Sequence, residues 1–189
     1  MTLKEKSDQL REIIRKLPPA AIAFSGGVDS SLLSSIVHEI QGDQSIALTV
    51  DSMLSSRVEM KKANDTALEI GIIHRVLTLD RLDESVLSNP TDRCYHCKQI
   101  IFSRLQEFAS SLGKTVLLEG SNLDDLDDYR PGFKAIKELS VRSPLLEARL
   151  TKKEIRKLSQ ERGLSTWDSP SMACLASRIP YQELITPLN

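Results

Sequence analysis

The stretch SGGVDSS (residues 25–31) carries residue types that suit a phosphate-binding loop. Gly26 and Gly27 let the backbone turn sharply and approach an anion, and serine hydroxyls add hydrogen-bond donors. A helical pattern follows directly, so free N–H groups at its start would point at the anion. The lysine of the common P-loop is absent, whereas Asp29 is placed to help hold the Mg²⁺ that accompanies a polyphosphate. The stretch therefore predicts a polyphosphate cradle, with an ordinary strand-to-helix turn as the alternative.

Three cysteines form a second group of reactive side chains. Cys94 and Cys97 are spaced as C-x-x-C at the start of a predicted helix, and Cys174 lies far along the chain. A lone C-x-x-C indicates metal binding or redox chemistry. Arg178, four residues after Cys174, would lower the pKa of that thiol if the segment is helical. The alternative for each cysteine is a small buried apolar residue.

Alternating apolar segments must position these groups. Short apolar runs predict strands at residues 20–24, 45–50, 72–79 and 114–120. Helical spacing of apolar residues separates these runs, and a capping box at Thr151 and Glu154 begins a further helix. Residues 141–146 are expected to form a short strand or an extended segment. The alternation predicts an α/β fold with a Rossmann-like, mainly parallel sheet and helices on both faces.

The polar candidates follow the ends of the predicted strands. Ser25 follows the first strand, Asp51 the second and Gly120 the fourth. Open parallel sheets bind ligands beyond the carboxyl ends of their strands. The sequence therefore predicts one ligand site at that edge of the sheet.

Bulk properties limit the class of protein. The chain has 189 residues, 27% of them charged, with a net charge of −1, which does not favour binding to a long nucleic acid. No apolar run approaches the roughly 20 residues of a membrane span, and the first residues are charged, so we expect a cytoplasmic protein. An odd number of cysteines argues against a disulfide framework. We expect one domain over residues 1–163, followed by a short cysteine-containing segment, 164–189.

SGGVDSS resembles the PP-loop of the N-type ATP pyrophosphatases, whose fold is adenine nucleotide alpha hydrolase-like. That family cleaves ATP between the α- and β-phosphates and leaves AMP on a substrate oxygen. The resemblance implies ATP and Mg²⁺ as ligands and gives Asp29 and Ser30 a direct role in the reaction. It also implies that the nucleotide contacts the cradle and nearby strand ends: Ala23, Phe24, Ser25, Gly26, Gly27, Asp29, Ser30, Val50, Asp51, Ser52, Gly120, Ser121 and Asn122.

Four longer motifs narrow the resemblance. They are DRCYHCK (92–98), GSNLDDLDDYRPG (120–132), VRSPLLEA (141–148) and CLASRIPY (174–181). Together with SGGVDSS, and in this order, they resemble the ATP-dependent sulfur transferases of the LarE family over almost the whole chain. Members of that family adenylate the carboxylates of a pyridinium dicarboxylate mononucleotide and convert each to a thiocarboxylate, in the biosynthesis of the nickel-pincer cofactor. The residue at the family's sulfur position is Cys174.

The chemistry of that family exists in two versions. In one, a single cysteine gives up its own sulfur and becomes dehydroalanine. In the other, three cysteines hold a [4Fe-4S] cluster whose open iron carries an extra sulfide. The pattern Cys94, Cys97 and Cys174 favours the cluster, because three thiolates leave one iron site free. The sacrificial version stays open.

Further charged residues of the matched motifs are candidates for ligand binding. Asp125 is a candidate Mg²⁺ ligand, and Asp128 is a candidate to orient the substrate, with a solvated acidic loop as the alternative. Arg142 and Arg178 are expected to hold substrate phosphate or carboxylate groups, since a guanidinium binds such groups through two parallel hydrogen bonds.

Family members continue beyond the residues that correspond to CLASRIPY, with a region that supplies substrate and subunit contacts. Only QELITPLN (182–189) follows here. Either the chain is a truncated form, or it is a short variant for which we expect a homo-oligomer or a partner chain to supply that region. Three alternative functions remain: a tRNA thiolase, an amide-forming enzyme like the NAD or GMP synthetases, and a non-catalytic ATP-binding subunit.

Overall fold

A computed structural model describes residues 1–126, 132–170 and 174–186. Its strands are β1 (Ala20–Ala23), β2 (Ile46–Ser52), β3 (Ile73–Leu79) and β4 (Val116–Leu118). Its helices are α1 (Leu3–Arg15), α2 (Val28–Gln41), α3 (Arg57–Ile70), α4 (Glu84–Leu87), α5 (Arg93–Ser111), α6 (Gly132–Glu138), α7 (Pro144–Glu147) and α8 (Lys152–Glu161). Short 3₁₀ helices cover Gly42–Gln44, Leu123–Leu126 and Leu175–Arg178.

In the described part of the chain, four parallel strands form one sheet in the order β3-β2-β1-β4. β1 is central: its residue Ala21 pairs with Ile46 of β2 on one side and Leu117 of β4 on the other. Strand order reverses beside β1, because β2 and β3 lie on one side and β4 on the other. Ligands of open α/β sheets bind at such a switch point, so the topology directs a ligand to the end of β1.

Helices cover both faces of the sheet, as predicted. Alternate residues of β1 point to opposite faces, so Ala20 and Ile22 join one buried cluster and Ala21 joins the other. The first cluster contains residues of α1, α2, α7 and α8, among them Leu10, Ile14, Leu32, Leu33, Leu145 and Ile155. The second contains residues of α5 and α6: Phe102, Leu105, Ala109 and Ile136. The predicted α/β fold is thereby confirmed.

Local signals place most of the predicted boundaries correctly. α1 ends before Pro18 and Pro19, α3 ends at Gly71 with a left-handed backbone, and Thr151 and Glu154 form the predicted capping box. Within the described ranges, no helix is long and apolar enough to cross a membrane. The division of the chain at residue 163 stays a prediction.

The expectation for residues 141–146 is wrong over its second half. Arg142 forms only a single parallel bridge to Leu118, and α7 begins two residues later at Pro144. Proline fixes φ near the helical value and lacks an N–H group, so it suits the first position of a helix. The apolar run predicts a strand or an extended segment because a single helical turn is too short to show the helical spacing of apolar residues.

The turn at Gly26 depends on the absence of a side chain. Its φ is +69°, and a Cβ atom there would lie 2.7 Å from Cα of Ala63 in α3. Gly113 has a similar φ of +73° but no atom within 4 Å of such a Cβ.

We expect Gly113→Ala to lower the free energy of unfolding by ~1–2 kcal/mol, the cost of left-handed backbone. Gly26→Ala should cost about 1–3 kcal/mol more, because α3 must move away from the loop. Chemical denaturation of both variants measures the difference. Equal losses would show that α3 does not constrain the loop.

Candidate active site

The phosphate cradle is built by the turn between β1 and α2. Gly27 precedes the first residue of α2 and provides no side-chain cap, so the first N–H groups of the helix are left for a ligand. The Oγ atoms of Ser25 and Ser30 lie 3.2 Å apart, and Ser30 Oγ also donates to the carbonyl of Gly27 at 3.2 Å. The predicted cradle residues thus form one continuous surface at the end of the central strand.

A cavity of about 620 Å³ opens onto this cradle. Its volume is in the range of sites that bury a nucleotide-sized ligand. Most of the predicted nucleotide contacts line it: Ala23, Phe24, Ser25, Gly26, Gly27, Asp29, Ser30, Val50, Gly120 and Ser121. Apolar side chains of β2 and α5 form much of the remaining wall, among them Leu48, Ile101, Phe102 and Leu105.

The end of β4 packs closely against the start of α2. A Cβ atom at Gly120 would lie 3.1 Å from the backbone N of Ser30 and 3.2 Å from Cβ of Asp29. Asn122, which is buried, donates from Nδ2 to Oδ1 of Asp29 at 3.2 Å. Asn122 therefore orients Asp29 rather than lining the cavity.

A lysine outside the loop supplies the cation that the cradle lacks. Nζ of Lys152, the first residue of α8, forms an ion pair with Oδ2 of Asp29 and lines the cavity. The Asp124 carboxylate accepts a 2.8 Å hydrogen bond from the Lys152 backbone N–H and holds this end of α8 in place. Sequence reasoning missed Lys152, although it lies next to the capping residue Thr151.

Two more lysines line the cavity, which also contains the carboxylates of Asp29, Glu59, Glu119 and Asp125. Lys62 of α3 donates to Ser169 Oγ at 2.9 Å, and Nζ of Lys98 lies 6.0 Å from the ring centroids of Phe102 and Phe133. Ammonium groups placed in this way attract a polyphosphate and a carboxylate substrate alike.

Glu119 is a buried carboxylate that sequence reasoning also missed. It accepts hydrogen bonds from the backbone N–H of Ser121 at 3.0 Å, from Ser121 Oγ at 2.7 Å and from Ser143 Oγ. Three donors stabilise its position and fix the backbone after β4. No short sequence pattern signals this role, because Ser143 is distant in the chain.

The floor of the cavity is supported by a buried polar contact. Oγ1 of Thr49 donates to the carbonyl of Phe24 at 2.7 Å and lies 2.8 Å from Nε2 of His74. Burial lowers the pKa of His74, and its ring meets that of Phe24 edge to face at 5.8 Å. These contacts fix Phe24, which lines the cavity directly after β1.

The three cysteines approach one another although Cys174 is distant in sequence. Cys94 and Cys97 lie in the first turn of α5, and Cys174 directly precedes the 3₁₀ helix Leu175–Arg178. Burial and, to a smaller extent, the thiols of Cys174 and Cys94 raise the pKa of Cys97 to about 11. The side chain of Arg93, the residue before Cys94, donates to the carbonyl of Ala176 at 2.8 Å, two residues after Cys174. Cys174 also lines the cavity of the cradle.

The donor set fits the chemistry of an iron–sulfur cluster, which takes thiolate ligands. Cys94 and Cys174 are exposed and Cys97 is half-buried, and all three are free of disulfides. Within the described residues, no three His, Cys, Asp or Glu side chains are arranged to hold a single metal ion. A cluster on these cysteines remains a prediction.

Some predicted residues do not line the cavity in the described structure. The guanidinium of Arg142 pairs with the carboxylate of Glu147, which raises the pKa of Arg142, and Arg178 is exposed. Asp125 does line the cavity, whereas Asp128 lies outside the described residues. The substrate-binding roles of these residues stay predictions. The other predicted residues outside the lining are Asp51, Ser52, Asn122, Cys94 and Cys97.

Comparison with known proteins identifies relatives over the whole chain. The asparagine synthase family model matches residues 7–106. An uncharacterized protein of Synechocystis sp. (strain PCC 6803) is 41% identical over 97% of this chain and 69% of that protein. The pyridinium-3,5-bisthiocarboxylic acid mononucleotide synthase of Lactiplantibacillus plantarum is 36% identical over 100% of this chain and 69% of that protein.

Among solved structures, the U34-tRNA thiolase NcsA from Methanococcus maripaludis, determined with its [4Fe-4S] cluster, has the same fold. The TM-score is 0.67 over 93% of this chain and 70% of the thiolase chain. Sequence identity is 20%, so the similarity concerns the fold alone.

Lys152 is expected to contact phosphate once Asp29 binds a metal ion. Replacing it by methionine removes a charged hydrogen bond of about 1.5–3 kcal/mol, so the Kd for ATP should rise by about 10–100-fold. Lys153→Met, one residue further and exposed, is the matched control. Calorimetric titration with ATP and Mg²⁺ measures both; equal affinities would contradict a phosphate contact.

The raised pKa of Cys97 predicts slow alkylation. With a pKa of about 11, roughly one thiol in a thousand is ionised at pH 8, against about a quarter for an ordinary cysteine. Iodoacetamide should therefore modify the exposed Cys94 and Cys174 first. The rate at Cys97 should rise about tenfold per pH unit up to pH 11. Mass spectrometry of the peptides measures the order, and early modification of Cys97 would contradict its burial.

Proposed function

The chain belongs to the LarE family of ATP-dependent sulfur transferases, and we propose that it adenylates a substrate carboxylate and then replaces AMP with sulfur. The product is a thiocarboxylate. The observation that carries the proposal is the position of Cys174, which lines the same cavity as the phosphate cradle. An amide-forming PP-loop enzyme that uses ammonia requires no thiol there.

The proposed substrate is a pyridinium dicarboxylate mononucleotide, an intermediate of nickel-pincer cofactor biosynthesis. Support comes from the L. plantarum relative, whose name describes the bisthiocarboxylic acid product and which is 36% identical over the full chain. Lys62, Lys98 and Lys152 provide positive charge in the cavity for its phosphate and carboxylate groups. A homo-oligomer or partner chain that adds substrate contacts stays part of the proposal.

Adenylation is the step that we assign to the N–H groups, hydroxyls and carboxylates of the cradle. A carboxylate oxygen attacks the α-phosphorus of ATP, the bond to the bridging oxygen breaks, and pyrophosphate leaves. The N–H groups at the start of α2, with Ser25 and Ser30, stabilise the charge on the departing pyrophosphate. Asp29 and Asp125, both in the cavity wall, would hold Mg²⁺, which supplies further neutralisation of the phosphate charge.

Sulfur transfer requires a better leaving group than the oxide of a carboxylate, and AMP is that group. In the sacrificial route the Cys174 thiolate attacks the acyl carbon and AMP departs, which leaves a thioester. Loss of the Cα proton and cleavage of the Cβ–S bond then release the thiocarboxylate and leave dehydroalanine. This route needs no oxidant or reductant. Each chain can complete it only once, because the cysteine is converted to dehydroalanine.

We favour the route in which Cys94, Cys97 and Cys174 hold a [4Fe-4S] cluster. Support comes from the hydrogen bond of 2.8 Å between Arg93, which precedes Cys94, and the carbonyl of Ala176, and from the position of Cys174 in the cavity wall. Cys94, Cys97 and Cys174 would hold such a cluster, which would supply sulfide sulfur to the acyl carbon as AMP leaves. Iron and acid-labile sulfide analysis of anaerobically purified protein tests this route: near four irons per chain would support it, and iron-free protein after reconstitution would contradict it.

Replacing Cys174 by serine should separate the two half-reactions. Adenylation, measured as carboxylate-dependent ATP–pyrophosphate exchange, should remain, because the cradle does not include the thiol. Thiocarboxylate formation should be abolished, because a serine alcohol can neither provide sulfur nor serve as the third thiolate of a cluster. Persistent thiocarboxylate formation would remove Cys174 from the mechanism.

Cys94→Ser is the companion variant that distinguishes the two routes. A sacrificial Cys174 would still complete one turnover per chain in this variant, and Cys174 would lose the mass of H₂S, about 34 Da, as dehydroalanine forms. A cluster route would lose both iron and sulfur transfer. Intact-mass spectrometry after a single turnover measures whether the chain has lost this mass.

A further inference from the structure

A buried arginine holds the segment that carries Cys174. Arg93, the first residue of α5, is 4% exposed. Its Nη1 donates to the carbonyl of Ala176 at 2.8 Å and to Oδ1 of Asn89. Its guanidinium lies 5.5 Å from the ring centroid of Tyr181. In the described part of the chain no carboxylate pairs with it, so neutral oxygens and an aromatic ring stabilise this buried charge.

Asn89 is the second residue that attaches the segment carrying Cys174. It is fully buried, and its backbone has a φ of +52°. Its Nδ2 donates to the carbonyl of Pro180 at 2.7 Å, and its own carbonyl accepts from the N–H of Gln182 at 2.9 Å. A buried asparagine that satisfies this many polar groups is costly to replace.

Residues 174–186, here called the C-terminal strap, therefore follow α4 and the start of α5. A further hydrogen bond of 2.9 Å joins the N–H of Ile185 to the carbonyl of Leu87, and the Ile185 side chain is buried. Ala176, which Arg93 holds, lies two residues after Cys174. The same helical turn that begins with Arg93 carries Cys94 and Cys97.

We propose that Arg93 and Asn89 are positioning residues that bring Cys174 to Cys94, Cys97 and the cavity. The clasp, defined as Asn89, Arg93 and Tyr181, attaches the strap to the start of α5, and Cys174 at the beginning of the strap lines the cavity. The functional part of this proposal rests on the role assigned to Cys174; the geometric part does not.

The first test measures geometry without activity. The reduced full-length chain is treated with the dithiol reagent dibromobimane, and cross-linked peptides are identified by mass spectrometry. Wild type should give links from Cys174 to Cys94 or Cys97. Asn89→Gly removes the carboxamide yet tolerates the positive φ, and Arg93→Lys keeps the charge but loses the planar fork. Both variants should lose links to Cys174 and keep the Cys94–Cys97 link.

The second test measures catalysis in the same variants. Sulfur transfer should fall on the order of 100-fold, as expected for a misplaced reacting group, while ATP–pyrophosphate exchange stays at the wild-type level. Arg104→Lys is the matched control, because Arg104 is an exposed residue of α5 that pairs only with Glu107 at 2.9 Å among the described residues. It should leave cross-linking and both activities unchanged.

Unchanged links to Cys174 in both clasp variants would overturn the proposal. Loss of the links to Cys174 together with sulfur transfer at the wild-type rate would also overturn the proposal. If Arg93→Lys fails to fold, Asn89→Gly still decides, because it keeps the buried guanidinium. Activity of Cys174→Ser would instead overturn the proposed function, and the cross-linking result would stand apart from it.

Discussion

The Asp29 carboxylate joins three segments that are far apart in the chain. It lies in the first turn of α2, accepts a hydrogen bond from Asn122 after β4 and pairs with Lys152 at the start of α8. A half-buried carboxylate requires such partners, because burying an uncompensated charge is expensive. This requirement draws α8 and the end of β4 onto the cradle, and the cavity takes its shape from that contact. In the proposed complex with ATP and Mg²⁺, the same carboxylate and ammonium would exchange their mutual contact for contacts with the ligand.

The cavity has one polar wall and one apolar wall. The cradle presents N–H groups and hydroxyls, whereas β2 and α5 present Leu48, Phe102 and Leu105. In the proposed reaction an acyl-adenylate would hydrolyse if water reached it, so the apolar wall would favour attack by sulfur over attack by water. Glu119 and Thr49 keep the polar parts of this boundary in fixed positions through buried hydrogen bonds.

The sequence was sufficient to predict what depends on neighbours in the chain. Strands β1 to β4, the strand-to-helix turn of the cradle and the capping box of Thr151 and Glu154 follow from local periods and from short motifs. Lys152, Glu119 and Arg93 were missed because their roles depend on Asp29, Ser143 and Ala176, and no local pattern encodes contacts across the fold. Residues 141–146 were misread because a single helical turn beginning at Pro144 has the same apolar letters as a buried strand.

The strap has a consequence for how this enzyme architecture diversifies. In the proposed function, activation of the substrate belongs to the sheet and its loops, whereas Cys174 is carried by thirteen described residues that are attached through a few side chains and main-chain hydrogen bonds. Substitutions in such an appendage leave the core packing intact, so selection acts on the two parts independently. A change of attacking atom, from sulfur to another nucleophile, is therefore a small evolutionary step on an unchanged activating domain.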